Sequence, residues 1–252
     1  MIKRLLLALQ FLTVIPVKFQ SVQEKEMQES AIYFPLVGLF LGLILVATDY
    51  LLSFINFTPI LVSVILVILL IILTGGLHLD GLADTFDAFL SRKNKEETLR
   101  IMQDSHIGVM GVLAIISVIL LKIALLYSIG VLLRPLALVL MCILSRWSFV
   151  LVMFLFNYAR QEGKAKVFIQ GMNLKIFVLS TVIALACILT IWQIKGLVIM
   201  LIVALVGYLT GKSITNKIGG ITGDTLGAMN ELTEVVILLS ICVLKAANLW
   251  II

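Results

Sequence analysis

Thr74-Gly-Gly-Leu-His-Leu-Asp-Gly-Leu-Ala-Asp-Thr-Phe-Asp-Ala-Phe89 breaks an otherwise apolar chain, and its setting decides the fold. It follows the unbroken apolar run Pro59–Leu73 and is separated by one short polar segment from another run, Val109–Ile129. Asp80, Asp84 and Asp87 fall at i, i+4, i+7, which places all three carboxylates on one face of a helix with 3.6 residues per turn. Carboxylates at that spacing repel one another. Leu79, Leu82, Phe86 and Phe89 flank them, so the face is not simply solvated, and acids near lipid are expensive to keep. A bound divalent cation supplies a reason, because carboxylate oxygens are the ligands Mg²⁺ prefers.

The rest of the chain reads as membrane. Hydrophobic residues make up 62% of it and charged ones 13%, with a mean hydropathy of +1.18. A soluble domain is about half apolar and a quarter charged, so lipid must replace water over much of this surface. With about 20 apolar residues needed per crossing, the candidate spans are Ile32–Ile55, Pro59–Leu73, Val109–Ile129, Leu132–Phe156, Leu174–Trp192, Leu197–Gly211 and Val235–Ile252. Pro59–Leu73 is short, and the motif after it is the natural completion. The fold class expected is all-α: a polytopic membrane bundle of about seven transmembrane helices forming a single domain over residues 1–252. Lys3 and Arg4 before the run Leu5–Ile15 resemble a signal peptide, but Pro16, Val17 and Lys18 follow where a small-residue cleavage site belongs. That run is too short to cross easily and reads as an interfacial or re-entrant helix.

The net charge of +5 would raise the question of nucleic acid in a soluble protein. Here it reports orientation, and no nucleic-acid partner is expected. With the N-terminus cytoplasmic, Arg134 and Lys195 alone fall on the far side, Lys122, Arg146 and Lys245 lie within spans, and the remaining lysines and arginines gather on the near side. Cys142, Cys187 and Cys242 sit in apolar runs with no metal or disulfide spacing and read as small hydrophobes.

Two further stretches gather polar residues on the same side. Met102-Gln-Asp-Ser-His-Ile-Gly-Val-Met-Gly111 opens the third span, where Asp104 or Ser105 suits a helix cap and Asp104 equally suits the metal site. Gly219-Gly-Ile-Thr-Gly-Asp-Thr-Leu-Gly-Ala-Met-Asn-Glu-Leu-Thr-Glu234 reads as a turn entering a helix N-terminus, whose free N–H groups and positive dipole end cradle phosphate. Asp224, Glu231 and Glu234 then lie along one side of that helix. Arg146 and Lys122 stand inside apolar runs. Arg146 has the planar fork that suits a diphosphate or an internal carboxylate, and Lys122 is able to snorkel.

Gly-Gly-x-His-x-Asp-Gly-Leu-Ala-Asp-Thr-x-Asp (75–87), Asp-Ser-x-Ile-Gly-x-x-Gly (104–111) and Gly-Gly-x-Thr-Gly-Asp-x-Leu-Gly-Ala-x-x-Glu-x-x-Glu (219–234) resemble the signatures of the cobalamin synthase family. Phe11–Val17 and Tyr33–Gly38 resemble its N-terminal region. His106 stands where that family more often has arginine. The resemblance implies a prokaryotic inner-membrane enzyme that joins adenosylcobinamide-GDP to α-ribazole or its 5′-phosphate, with Mg²⁺ as cofactor and GMP leaving. It implies a cytoplasmic-side site in which Asp80, Asp84, Asp87 and Asp104 hold metal. Arg146, Lys122, His106, Glu234, Gly76, Gly220, Thr222 and Gly223 would contact substrate. His78, Glu231 and Asp224 are the catalytic candidates, with the general base open between His78 and Glu231, and Asp224 and Glu234 also suited to metal. The sequence leaves the oligomeric state open. Two rival readings are a CDP-alcohol phosphotransferase, which shares an Asp-Gly-x-x-Ala run but continues differently, and an ion-coupled transporter, for which the acids are too one-sided.

Overall fold

The computed structural model describes residues 1–247 and is all-helical apart from one isolated bridge. Two short helices, α1 (Ile2–Leu12) and α2 (Glu24–Ser30), lead through a single 3₁₀ turn into α3 (Phe34–Phe54). At 11 residues α1 is about 16 Å long, half of what a bilayer core requires, in keeping with the short N-terminal helix expected. Two ion pairs of 2.5 Å, Lys3–Glu26 and Arg4–Glu29, clamp it to α2.

α4 (Pro59–Thr74) does not continue straight into the first acidic motif. Gly75 and Gly76 both adopt left-handed backbone (φ +64° and +70°), and the chain turns 90° into α5 (Leu77–Leu90). Two consecutive residues with φ > 0 are cheap only for glycine, so the Gly-Gly pair fixes the corner. The motif therefore continues α4 across a sharp break, the form of a broken span or a re-entrant loop. The short α6 (Lys95–Ile101) follows, then α7 (Val109–Ile129) and α8 (Arg134–Leu155). Beyond α9 (Lys166–Gly171) runs a helix of 45 residues, α10 (Leu174–Ile218). Straight, it would reach about 68 Å, more than twice a bilayer core. Gln193 breaks it with non-helical backbone (φ +51°, ψ −144°). Trp192 Nε1 donates to the Leu136 carbonyl at 2.9 Å near the start of α8, Thr181 Oγ1 accepts from Trp147 Nε1 at 3.0 Å halfway along, and Gly207 and Gly211 pack on Val152 and Phe156 at its far end. The first arm thus descends α8 and the second climbs back, giving the two spans read from the sequence at Leu174–Trp192 and Leu197–Gly211. The last described helix, α11 (Gly223–Ala246), already contains the third motif, so it begins well before Val235. The end of the expected span Val235–Ile252 lies outside the described residues.

α8 is the axis of the bundle, with 89% of its apolar window buried against 28% for α7 and 22% for α10, whose outer faces are left to lipid. α3 reaches it through Gly38 and Gly42, where a Cβ would collide with the backbone of Cys142, Ile143 and Val139. Small residues four apart let two membrane helices approach to backbone contact. Arg134, read from the sequence as a far-side surface charge, is instead fully buried at the start of α8, where its Nε donates to Asp49 Oδ1 of α3 at 2.8 Å. The three cysteines are free thiols.

Candidate active site

α5 and α11 cross at glycines. A Cβ at Gly81 would strike the Asp224 backbone, and one at Gly227 would press on His78 and Gly81. Because Asp80 and Asp84 flank Gly81, the close crossing carries them to Asp224, the second residue of α11. Asp84 lies in the fields of Asp80, Asp224 and Asp87, opposed by the Arg160 cation. Arg160 Nη1 sits 2.7 Å from Asp224 Oδ2. Arg160 belongs to the loop between α8 and α9, and the backbone of that loop is stitched to the glycine turn before α11: Ile221 N–H donates to Asn157 at 2.8 Å and Ala159 N–H to Ile221 at 2.9 Å.

Beside these residues opens a cavity of about 270 Å³. Its rim carries Asp80, Asp224, Arg160 and Lys164; its floor is Phe11, Leu12, Phe34, Phe149 and Met153, with His78 in the wall. The burial gradient separates the two, since Leu12, Phe34, Phe149 and Met153 are all buried while Asp80 and Lys164 are exposed. Gly223 and Asp224 also line it. As the opening residues of α11 their N–H groups have no intrahelical acceptor, so the positive end of that helix faces the cavity. Tyr158 completes the loop side, and burial pushes its phenol above the ordinary range, so it is a neutral hydroxyl.

The donor set suits a hard divalent cation. Asp80, Asp84 and Asp224 supply carboxylate oxygens, and oxygen is what such an ion requires. Among the described residues no group of three or more His, Cys, Asp or Glu side chains converges tightly enough to enclose a metal unaided. A cation here would therefore complete its shell with ligand oxygens, which is how Mg²⁺ usually binds where phosphates are handled.

Other residues singled out in the sequence have different surroundings. Both Asp87 oxygens are engaged at the N-terminus of α7, where Oδ2 accepts from Gly108 N–H at 2.7 Å and Oδ1 from Gly111 N–H at 2.9 Å. The i, i+4, i+7 face is real, but its third carboxylate is spent as a helix cap. Asp104 accepts from its neighbour His106 at 2.6 Å on the exposed surface, and its hydrogen bonds from His106 hold its carboxyl below the usual range, with Arg100 adding to the effect. His106, 91% exposed in its side chain, lies with it outside the cavity. Thr222 is buried and caps α11, its Oγ1 accepting from Thr225 N–H at 3.1 Å. Gly220 lets the turn pass against the Asn157–Ala159 backbone, and Gly76 forms the α4–α5 corner.

Lys122, Arg146, Glu231 and Glu234 form a second, sealed cluster. Lys122 Nζ donates to Glu231 at 2.7 Å and to Glu234, and Arg146 donates to the other Glu234 oxygen and to Ser145 Oγ at 2.7 Å. All four are at most 5% exposed. None lines the large cavity. His78 stands between the two clusters, its ring 5.3 Å from that of Phe149.

Sequence reasoning missed Arg160 and Lys164, counted only as near-side charges, and the contribution of α1 through Phe11 and Leu12. A polar loop between two spans on the motif side was the available signal for the first two.

Comparison with known proteins supplies a family. The model of the family described as Cobalamin-5-phosphate synthase matches residues 4–242. A protein of Desulforamulus reducens named adenosylcobinamide-GDP ribazoletransferase is 36% identical over 93% of this chain and 94% of its own length. Proteins of the same name from Thermoanaerobacter sp. and Acetivibrio thermocellus are each 39% identical, over 94% and 92% of this chain and 96% and 94% of theirs. No solved structure matches the chain.

Proposed function

Because the chain belongs to the Cobalamin-5-phosphate synthase family, we propose that it is an adenosylcobinamide-GDP ribazoletransferase. It joins the cobinamide phosphate of adenosylcobinamide-GDP to the ribose hydroxyl of α-ribazole or α-ribazole 5′-phosphate and releases GMP. The observation that carries this reading beyond the family is the cavity rim, where Asp80 and Asp224, in the field of Asp84, stand with Arg160 and Lys164 beside the N-terminus of α11. Such a rim offers carboxylate oxygens to a cation and N–H donors to a phosphate at the same opening. Membership also sets aside the lipid-transferase and transporter readings.

Phosphoryl transfer asks for alignment and charge neutralisation more than for covalent help. Asp80 and Asp84 would hold Mg²⁺, which when bound neutralises diphosphate oxygens as charge shifts to the leaving nucleotide. Arg160 and Lys164 offer their donors to the same oxygens from the opposite rim, taking the part the sequence suggested for Arg146. The free N–H groups of Gly223 and Asp224 offer two more. Of the catalytic candidates, Asp224 and His78 line the cavity and Glu231 is sealed away from it; Asp224, at the rim, receives the proton of the attacking ribose hydroxyl. The bias of basic residues supports a multi-pass inner-membrane protein with this rim at the cytoplasmic face.

Purified protein in detergent, given adenosylcobinamide-GDP and α-ribazole, should release GMP and form the cobalamin with Mg²⁺ and not with EDTA. Folded protein that makes no product with either acceptor would overturn the proposal.

A further inference from the structure

Behind the rim, α5 and α11 present a second face that the transfer chemistry leaves unused. A groove of about 270 Å³ opens there between α5 and the returning arm of α10, with α11 as its floor. Phe86 and Phe89 form one wall, Thr210 and Ser213 line the other, and Met229 and Leu232 close the base. The residues lining it all differ from those lining the cavity beside Asp80 and Asp224. Leu90, 53% exposed, and the exposed Ser213 stand at its edges, so it opens sideways onto the face that α10 leaves to lipid. Thr85 also lines it, only 7% exposed and with no hydrogen-bond partner for its Oγ1. A hydroxyl left alone in hydrocarbon is costly until another oxygen reaches it.

The mouth of the groove is basic. Thr210, Ser213 and Ile214 fall at i, i+3 and i+4 on one face of α10, and Lys217 is next on that face. Lys217 Nζ donates to the Lys93 carbonyl at 3.0 Å, which draws the loop after α5, with Arg92 and Lys93, over the end of α10. That bond takes one of the three donors of the Lys217 ammonium. Among the described residues Arg92, Lys93 and Lys217 have no carboxylate partner. Glu96 and Glu97 follow on α6, but with Lys95 beside them the mouth keeps a net positive charge. Thr210 lies about 12 Å along α10 from its end at Ile218, the depth at which a lipid passes from glycerol to acyl chain.

We propose that this groove binds one anionic phospholipid from the leaflet on the rim's side. An acyl chain lies against Phe86, Phe89 and Leu232, the phosphate sits between Lys93 and Lys217, and the glycerol ester oxygens supply the acceptor that Thr85 lacks. Charge decides the headgroup, because two lysines favour an anionic lipid over a zwitterionic one. A soluble phosphate would answer the lysines and leave the hydrocarbon walls bare. Thr85 adjoins Asp84, and Met229 and Leu232 bracket Glu231. The seated lipid therefore braces the two helices that carry both charge clusters.

The test is native mass spectrometry of the purified protein released from micelles that hold equal amounts of phosphatidylglycerol and phosphatidylcholine. Wild type should retain one phosphatidylglycerol in preference to phosphatidylcholine by about tenfold. Lys93→Gln with Lys217→Gln should bring that ratio to within about twofold of one. Ser213→Trp should abolish retention of both lipids by filling the groove, and because Ser213 is exposed that variant folds. Equal retention of the two lipids by wild type overturns the proposal, as does a preference that survives the double lysine variant. Retention unchanged in Ser213→Trp would make the lipid annular and overturns it too. Displacement of the lipid by equimolar glycerol phosphate would give the lysines to a soluble anion. A wild-type dimer that Ser213→Trp converts to a monomer on size exclusion would give the groove to a second copy of the chain; either result rejects the lipid.

Discussion

The two charge clusters share α11 and are built on opposite plans. The inner one balances two cations, Lys122 and Arg146, against two anions, Glu231 and Glu234, and is closed to water. The rim gathers Asp80, Asp224, Arg160 and Lys164, with Asp84 adding its field, and opens on the cavity. A balanced, sealed set needs nothing further and holds α7, α8 and α11 together. An open set whose groups are only partly paired is left to meet a ligand. Intramembrane charge alone does not mark function, therefore; charge left partly unpaired and accessible does.

The sharpest way to break this contrast is to unbalance the inner cluster. Glu234→Ala leaves Lys122 and Arg146 facing one carboxylate, and should cost about 3–5 kcal/mol of stability. The readout is the fraction surviving as monodisperse protein after graded heating in detergent. Lys122→Met with Glu231→Gln, which removes one charge of each sign, should cost clearly less; equal losses would mean that pairing is not what the cluster provides. At the rim the signs reverse. Asp84→Asn should lower kcat by about 100-fold while heating survival stays level or improves, because a repulsion has been removed. Lost stability with retained turnover would exchange the roles of the clusters. Asp87→Ala tests which plan the third carboxylate follows. As a cap on α7 it should cost about 1–2 kcal/mol of stability, and activity should fall only in step with folded protein. The smallest effect belongs to Asp104→Asn, with survival within about 0.5 kcal/mol and turnover within about twofold of wild type. A large loss of turnover there would return Asp104 to the metal site.

The crossings were legible because each leaves a local mark: a run of apolar residues, Gly-Gly at 75–76, a polar pair at Gln193 and Lys195. The acids of the first motif were legible as a helical face, since that depends only on spacing. What spacing could not tell is what docks on the face. Asp87 and Asp80 look alike from within α5, and only the N-terminus of α7 arriving at Gly108 and Gly111 separates cap from rim. Lys122 and Glu231 are 109 residues apart. Their pairing, which withdraws Arg146 and Glu234 from the cavity as well, is a property of the closed bundle. Arg160 carries no motif and acquires its meaning from the bridge that lays its loop against the turn before α11.

Placing Arg134 and Arg146 on the central helix also orders the way the chain is made. A ribosome delivers α8 to the membrane with Asp49 already synthesised, so Arg134 finds its counterion at once. Arg146 must wait for Glu234, 88 residues downstream, at about 2.5–3.5 kcal/mol for an arginine at the centre of a span. Lys122 waits still longer. The nascent protein is therefore short of anions until its last described helix emerges, and α11 is the closure that commits the earlier spans to the bilayer. A chain stopped between α8 and Glu231 would carry two uncompensated intramembrane cations, the kind of exposed defect by which membrane quality control marks a protein for removal.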